Sequence, residues 1–326
     1  MILPTTHRAF TWQGSADPAD LLLTETQIPK PEADDVLIRN VVIGLNPVDW
    51  KVLGGQLVNW QPGHVPGVDG AGVVVAVGDN VCTSWVGQRV AYHQSLGRHG
   101  SFAEYTPVKA SAVLRVPAMV SWEHAASLPC PGLTAWLALE KLPQSCRTLL
   151  VSGAGGSVAN HLIQIAVRRG LRVTSLSHRR HAQRLADLGV AECMEGPLDQ
   201  AWSGPMVFDA VIDTVNAEHA ARLEPALKAN GHLVCVQDRL HASPIPPFTR
   251  TISLHEVALA ALHTFGDDRA WQALVDAGEG MLTSMGRAQW TPESYSVASF
   301  ERLPDHLTGL QQRTFSGKGV IRVAND

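Results

Sequence analysis

The sequence predicts an α/β chain in which a doubly wound parallel sheet is inserted into a β-rich domain. Three observations predict it. Residues 1 to about 118 carry short apolar runs punctuated by glycine, proline, asparagine and aspartate. From about Ser121 strand-like and helix-like segments alternate, and residues 263–326 revert to mixed character and close on a strand. A chain of 326 residues also exceeds what one hydrophobic core supports, so two domains are expected. The pattern assigns residues 1–120 with 263–326 to one domain and 121–262 to the inserted one.

In the first domain, residues 36–42, 73–77, 89–92 and 112–116 read as strands bounded by turn residues. The glycine density around them fits the tight corners of a small barrel. In the inserted domain, Thr148–Ser152 reads as a buried strand. Residues 157–169 have helical periodicity, with Val158, Leu162, Ile165 and Ala166 on one face. Then come a strand at 171–176, a helix at 180–188 closed by Gly189, a strand at Phe208–Asp213, a helix at 217–228 and a strand at 231–236. Such alternation means βαβ units with right-handed crossovers. Residues 319–323 form the closing strand.

Composition narrows the function classes. Hydrophobic residues make up 45% and charged residues 17%, which is ordinary for a folded domain and argues against disorder. The formal charge is −4 with no basic block, so a nucleic-acid or anionic-membrane partner has no electrostatic footprint. The longest apolar runs fall far short of the ~20 residues that span a bilayer. No signal peptide is readable, and a cytoplasmic location is expected. The five cysteines are odd in number and form no CxxC pair, so reduced, mostly packing thiols are expected.

The sharpest motif is VSGAGGSVA, residues 151–159, which follows a strand and opens a helix. Such a turn lets backbone N–H groups and a helix N-terminus approach a pyrophosphate with no Cβ in the way. Small residues stand at Ala154, Gly156 and Ala159, a variant of the GxGxxG spacing. The expected phosphate contacts are Ala154, Gly155, Gly156, Ser157 and Val158. A purely structural glycine turn is the bland alternative, and the strand–turn–helix context weighs against it. At the end of the next strand, an NAD site usually carries Asp or Glu for the ribose 2′-hydroxyl. Here Ser177-His178-Arg179-Arg180-His181 stands instead. A hydroxyl at Ser177 and guanidinium forks at Arg179 and Arg180 suit a 2′-phosphate, so the expected cofactor is NADPH.

Several segments together resemble one family. They are GLNPVDWK (44–51), VPGVDGAG (65–72), GDNV (78–81) with VGQRV (86–90), GSFAEY (100–105), LPCPGLTAW (128–136), the glycine turn and GKG (317–319). In this order they resemble the medium-chain dehydrogenase/reductase superfamily, in its zinc-independent quinone oxidoreductase-like branch. The resemblance implies a GroES-like catalytic domain, an inserted Rossmann domain and a homodimer. Zinc enzymes of the superfamily have a Cys where this chain has Asn46 and a His where it has Val68. Cys130 alone cannot hold a catalytic zinc, which needs three protein ligands, so no metal is expected. His64 is expected to face the surface or the substrate.

Without a Lewis acid, the chemistry implied is hydride delivery to a quinone or to an α,β-unsaturated carbonyl. Negative charge developing on the substrate oxygen needs a donor. Asn46 and Lys51 are the candidates, although relatives often have a tyrosine near Lys51. Thr134 resembles the family threonine beside the nicotinamide. Tyr92, His93 and Phe102 are expected to border the substrate cleft. Asp49 is read as a turn or capping residue, and Asp69 and Glu104 as structural carboxylates. An enoyl-thioester or ketone reductase of the same fold remains an alternative, as does a non-enzymatic NADPH-binding sensor.

Overall fold

The computed structural model describes residues 3–55 and 57–323. The chain forms two compact units. One comprises the segment through Cys130 together with the segment from Ala260, and the other is Pro131–Leu259.

The first unit is built on a seven-stranded sheet and a smaller two-stranded one. Its central strand, Asp35–Gly44, is buried along nearly its whole length because it is covered on both faces and paired on both edges. It runs antiparallel to Asp69–Val77, Tyr105–Lys109 and Lys318–Arg322. Arg89–His93 and Val113–Arg115 extend the sheet on one side, and Tyr295–Ser299 on the other. Thr6–Thr11 and Leu22–Gln27 form the separate ladder. Phe10, Ile43, Leu53, Phe102, Phe300 and Leu307 belong to one buried cluster. Each such side chain contributes roughly 1.5–3 kcal/mol on burial.

The boundary lies further along the chain than composition places it, at Cys130 and not at residue 120. The reason is the helix Trp122–Ser127, which packs on Asp35–Gly44, Asp69–Val77 and Lys318–Arg322. Arg322 Nε donates to Glu123 Oε1 at 2.9 Å and ties that helix to the closing strand. The return crossing falls at Ala260, three residues before the expected 263.

The second unit is a six-stranded sheet with every neighbouring pair parallel. In chain order its strands are β1 (Thr148–Ser152), β2 (Arg172–Ser177), β3 (Glu192–Glu195), β4 (Phe208–Asp213), β5 (Leu227–Cys235) and β6 (Ser253–Glu256). Their spatial order is 3-2-1-4-5-6, the doubly wound order of dinucleotide-binding domains, whose ligand crevice lies at the carboxyl ends where the winding reverses. Helices α1 (Ser157–Arg168), α2 (Ala182–Asp187) and α3 (Ala217–Leu223) fall between strands. Leu150, Leu176, Phe208, Val211, Leu223 and Leu233 share its buried core.

Three local expectations are corrected. The helix expected over 217–228 ends at Leu223, and a short 3-10 turn over Glu224–Ala226 follows. Pro225 sits in that turn and lacks the N–H a continuing helix needs. The segment after 263, read as mixed, holds the 19-residue helix Asp268–Gly286. Its start is capped by Asp267, whose carboxylate accepts from Ala270 N at 2.8 Å. Cys82 and Cys193 are exposed and so are not packing residues, whereas Cys146 and Cys235 are buried. Among the described residues no helix is long and apolar enough to cross a membrane.

Candidate functional site

Each unit carries its own group of chemically active residues. In the parallel-sheet unit, β1 ends at Ser152 and the chain turns at Gly153, whose φ is +63°. A Cβ there would lie 2.3 Å from Thr214 Oγ1. Thr214 Oγ1 itself donates to Ser152 O at 2.8 Å and Gly153 O at 3.3 Å, which closes the turn from the neighbouring strand end. Gly156 is the N-cap of α1 and offers no capping side chain. The first turn of the helix thus presents N–H groups to whatever anion approaches. Gly156 is exposed, Gly155, Ser157 and Val158 are half-buried, and Ala154 and Ala159 are buried against the sheet. The turn thus leaves the N-terminus of α1 without a side chain over it.

Beneath the turn lies a polar cluster that sequence reasoning missed. Ser152 Oγ donates to Asp213 Oδ2, and His219 Nδ1 donates to the same oxygen at 2.5 Å. His219 Nε2 accepts from Leu198 N at 3.0 Å, which leaves Nδ1 to carry the ring proton. Asp213 Oδ1 accepts from Val215 N and Asn216 N. With every partner supplied, the cluster joins the carboxyl ends of β1 and β4 and fixes the floor of the crevice. The Asp at the end of the FDAVID strand, with a His six residues on, was the available signal.

At the end of β2, the residues expected to hold a 2′-phosphate are close together in the chain but unequal in surroundings. Ser177 is buried, with its hydroxyl 3.5 Å from His178 O. Arg179 makes a two-point pair with Glu195 at the end of β3, at 3.0 and 3.3 Å. Arg180 is exposed and its Nε donates to His181 Nε2 at 3.1 Å. The Arg179–Glu195 pair is solvent-exposed and screened by water, so it holds Arg179 only weakly. Thr134 lies in the helix Pro129–Glu140 and is 9% exposed.

In the sheet unit, Asn46 is at the centre of a buried charge network. Its Nδ2 donates to Asp69 Oδ2 at 2.9 Å and to Gly44 O at 3.4 Å, and its Oδ1 accepts from Lys318 Nζ at 2.5 Å. Lys318, 2% exposed, also lies 3.5 Å from Asp69 Oδ2. Asp69 accepts from Cys130 N, and Asp49 accepts from Asn46 N at 2.7 Å and Val68 N at 3.1 Å. Burial pushes the Asp49 carboxyl up to about 7 and the Asp69 carboxyl up to about 6, against the pull of Lys318 on both.

This corrects the role expected of Asn46. Both amide protons and the carbonyl oxygen are spent inside the protein, so the side chain cross-links the network and is no free donor to a substrate oxygen. Asp49 is the capping residue expected, at the third position of the helix that Asn46 opens, and Asp69 is a structural carboxylate as expected. Lys318 is the member that the GKG segment concealed. Lys51 is exposed, with Nζ 5.8 Å from the Trp50 ring centre.

All three expected cleft residues are buried, which corrects their expected place. Tyr92 and Phe102 are fully buried. The Tyr92 hydroxyl donates to Asn40 Oδ1 at 2.8 Å, and burial holds the phenol above its ordinary range. Phe102 is in the apolar cluster with Phe10 and Phe300. Strand alternation points Tyr92 inward. His93 is 2% exposed and its Nδ1 is 3.0 Å from His263 Nε2. Burial, and then His263, hold its ring well below the ordinary histidine range.

The unit does have an open cleft, of about 770 Å³, and other residues line it. Trp60, His64 and His99 form a stack along it, with ring centres 4.3 and 5.1 Å apart. Trp60 Nε1 donates to Leu96 O at 2.7 Å, and His99 Nδ1 accepts from Val65 N at 3.1 Å. Burial, then His99, bring His64 down to about 4, so it stays uncharged near neutrality. His64, expected at the surface or facing the substrate, lines this cleft.

Comparison with known proteins identifies the family. The model of the alcohol dehydrogenase GroES-like domain matches residues 32–118. The chain is 30% identical over 231 residues to a chloroplast envelope quinone oxidoreductase homolog of Arabidopsis thaliana, covering 66% of this chain and 70% of that one. It is 34% identical over 218 residues to the 2-methylene-furan-3-one reductase of Solanum lycopersicum, covering 64% and 56%. An alcohol dehydrogenase superfamily protein of Novosphingobium aromaticivorans shares the fold, with a TM-score of 0.85 at 23% identity over 98% of this chain and 100% of that one. The chain belongs to the medium-chain dehydrogenase/reductase superfamily, in its quinone oxidoreductase-like branch, and is an oxidoreductase of that family.

Proposed function

We propose that the protein transfers hydride from NADPH to a quinone or an α,β-unsaturated carbonyl and needs no catalytic metal. The observation that carries the nucleotide is the uncapped turn at Gly153–Gly156, followed at the end of β2 by Ser177, Arg179 and Arg180. A nicotinamide supplies the hydride when bound. The turn and the start of α1 hold the pyrophosphate, and the Ser177–Arg180 segment holds the 2′-phosphate. Metal independence is supported by the donor set: Asn46 and Val68 stand at two ligand positions, and Lys318 already places a cation on the Asn46 oxygen.

The aromatic wall of Trp60, His64 and His99 favours a flat acceptor, which supports a quinone over an extended acyl thioester. The names of the two relatives point to the same pair of acceptor classes. Lys51 is the remaining candidate to meet negative charge on the acceptor oxygen, with Thr134 beside the nicotinamide. The reading includes a cytoplasmic homodimer.

The test is NADPH oxidation by chelator-treated protein against benzoquinone, phenanthrenequinone and simple enones. Turnover with at least one, undiminished by chelation, is expected. Tight NADPH binding with no turnover across the panel would overturn the quinone and enone acceptors. A companion variant, Arg180→Gln, is expected to weaken NADPH binding about tenfold while leaving NADH within about twofold, the size of one charge-assisted phosphate contact. An equal loss for both nucleotides would remove Arg180 from the 2′-phosphate site.

A further inference from the structure

Arg184 stands on α2 and reaches back to the glycine turn. Its Nη1 donates to Asn160 Oδ1 at 2.9 Å, and its Nη2 donates to Gly155 O at 3.2 Å and, more weakly, to Ala154 O at 3.4 Å. Asn160 belongs to α1, so one guanidinium joins the turn, the helix it opens and the helix after β2. From the same segment, the His181 ring packs against Gly155 so closely that a Cβ there would lie 2.6 Å from two of its ring atoms.

We propose that Arg184 is a positioning residue for the pyrophosphate of the dinucleotide, acting through the peptide planes on either side of Gly155. A trans peptide sets its N–H opposite its C=O. With the Ala154 carbonyl drawn to Arg184, the Gly155 N–H is held on the far side, the side open to an anion. The next peptide is fixed at both ends: its carbonyl, Gly155 O, accepts from Arg184, and its N–H, on Gly156, donates to Gly153 O at 3.1 Å. Arg184 thereby keeps two carbonyl oxygens, which would repel phosphate, turned away from it. The planar fork reaches three acceptors on two elements, which a lysine ammonium cannot do from one point. This inference rests on the nucleotide reading of the turn and goes beyond it by assigning a residue outside the motif.

Two fragments separate pyrophosphate from 2′-phosphate. ADP-ribose carries the first without the second, and adenosine 2′-monophosphate the second without the first. Each is measured by displacement of NADPH fluorescence from the full-length protein. Arg184→Leu is expected to weaken ADP-ribose about tenfold and to leave adenosine 2′-monophosphate within about twofold, with Arg184→Lys between wild type and Leu for ADP-ribose. Equal losses for both fragments, or an unchanged ADP-ribose affinity, would overturn the positioning role. Wild-type protein that binds neither NADPH nor either fragment would overturn the nucleotide reading, and this inference with it.

Discussion

Lys318→Met is expected to destabilise the sheet unit by about 3–5 kcal/mol, because it strands the buried Asp69 carboxylate without its cation. The loss should depend on pH in a defined sense. Burial already raises Asp69 and Asp49 above their unfolded values, so the native unit holds extra protons between about pH 4 and about pH 7. A carboxyl raised on folding contributes stability at low pH that is lost as pH rises through its folded value. Removing Lys318 raises Asp69 further. The penalty of Lys318→Met should therefore be larger near pH ~8 than near pH ~5, where the variant can protonate Asp69. Urea unfolding at the two pH values measures this. Adding Asp69→Asn should recover part of the loss, since removing both charges leaves no unpaired ion. A penalty independent of pH, or one below about 1 kcal/mol, would contradict the buried-network assignment of Asn46, Asp69 and Lys318.

Gly153→Val is expected to cost about 2–5 kcal/mol in the parallel-sheet unit. A left-handed φ costs a residue with a side chain about 1–2 kcal/mol, and forced overpacking about 1–3 kcal/mol more. The new Cβ would fall 2.3 Å from Thr214 Oγ1 and displace the hydroxyl that closes the turn on Ser152 O and Gly153 O. Nucleotide affinity should fall with stability, since the same peptide planes serve both. Thermal unfolding and NADPH titration of the one variant check the two effects together. A variant that melts like wild type would show that the turn tolerates a side chain at Gly153.

Much of this architecture was legible because its signals are local. The alternation from Thr148 onward, the small residues after Ser152 and the Gly189 at φ +92° each state a backbone requirement within a few residues. The doubly wound sheet followed from them. The helix Asp268–Gly286 was equally local, with Asp267 as cap and Trp271, Leu274, Met281 and Leu282 at helical spacing, and it was overlooked. What sequence could not show was how polar groups pair at long range. Asn46 meets Lys318 across 272 positions, and His93 meets His263 across 170. Motif position suggested that Asn46, Tyr92 and Phe102 face the substrate, but burial decides otherwise for all three. Arg184 follows Arg180 by four positions, but Arg180 lies in the 3-10 turn that precedes α2. The bond from Arg184 to Gly155 O required the fold.

The turn and the segment after β2 are proposed to bind NADPH in preference to NADH. Titration of the purified wild-type protein with each reduced nucleotide, followed by nicotinamide fluorescence under one salt condition, tests it most directly. Saturable binding of NADPH, about tenfold or more tighter than NADH, is the predicted result. NADH binding as tight as NADPH, or no saturable binding of either, would contradict it.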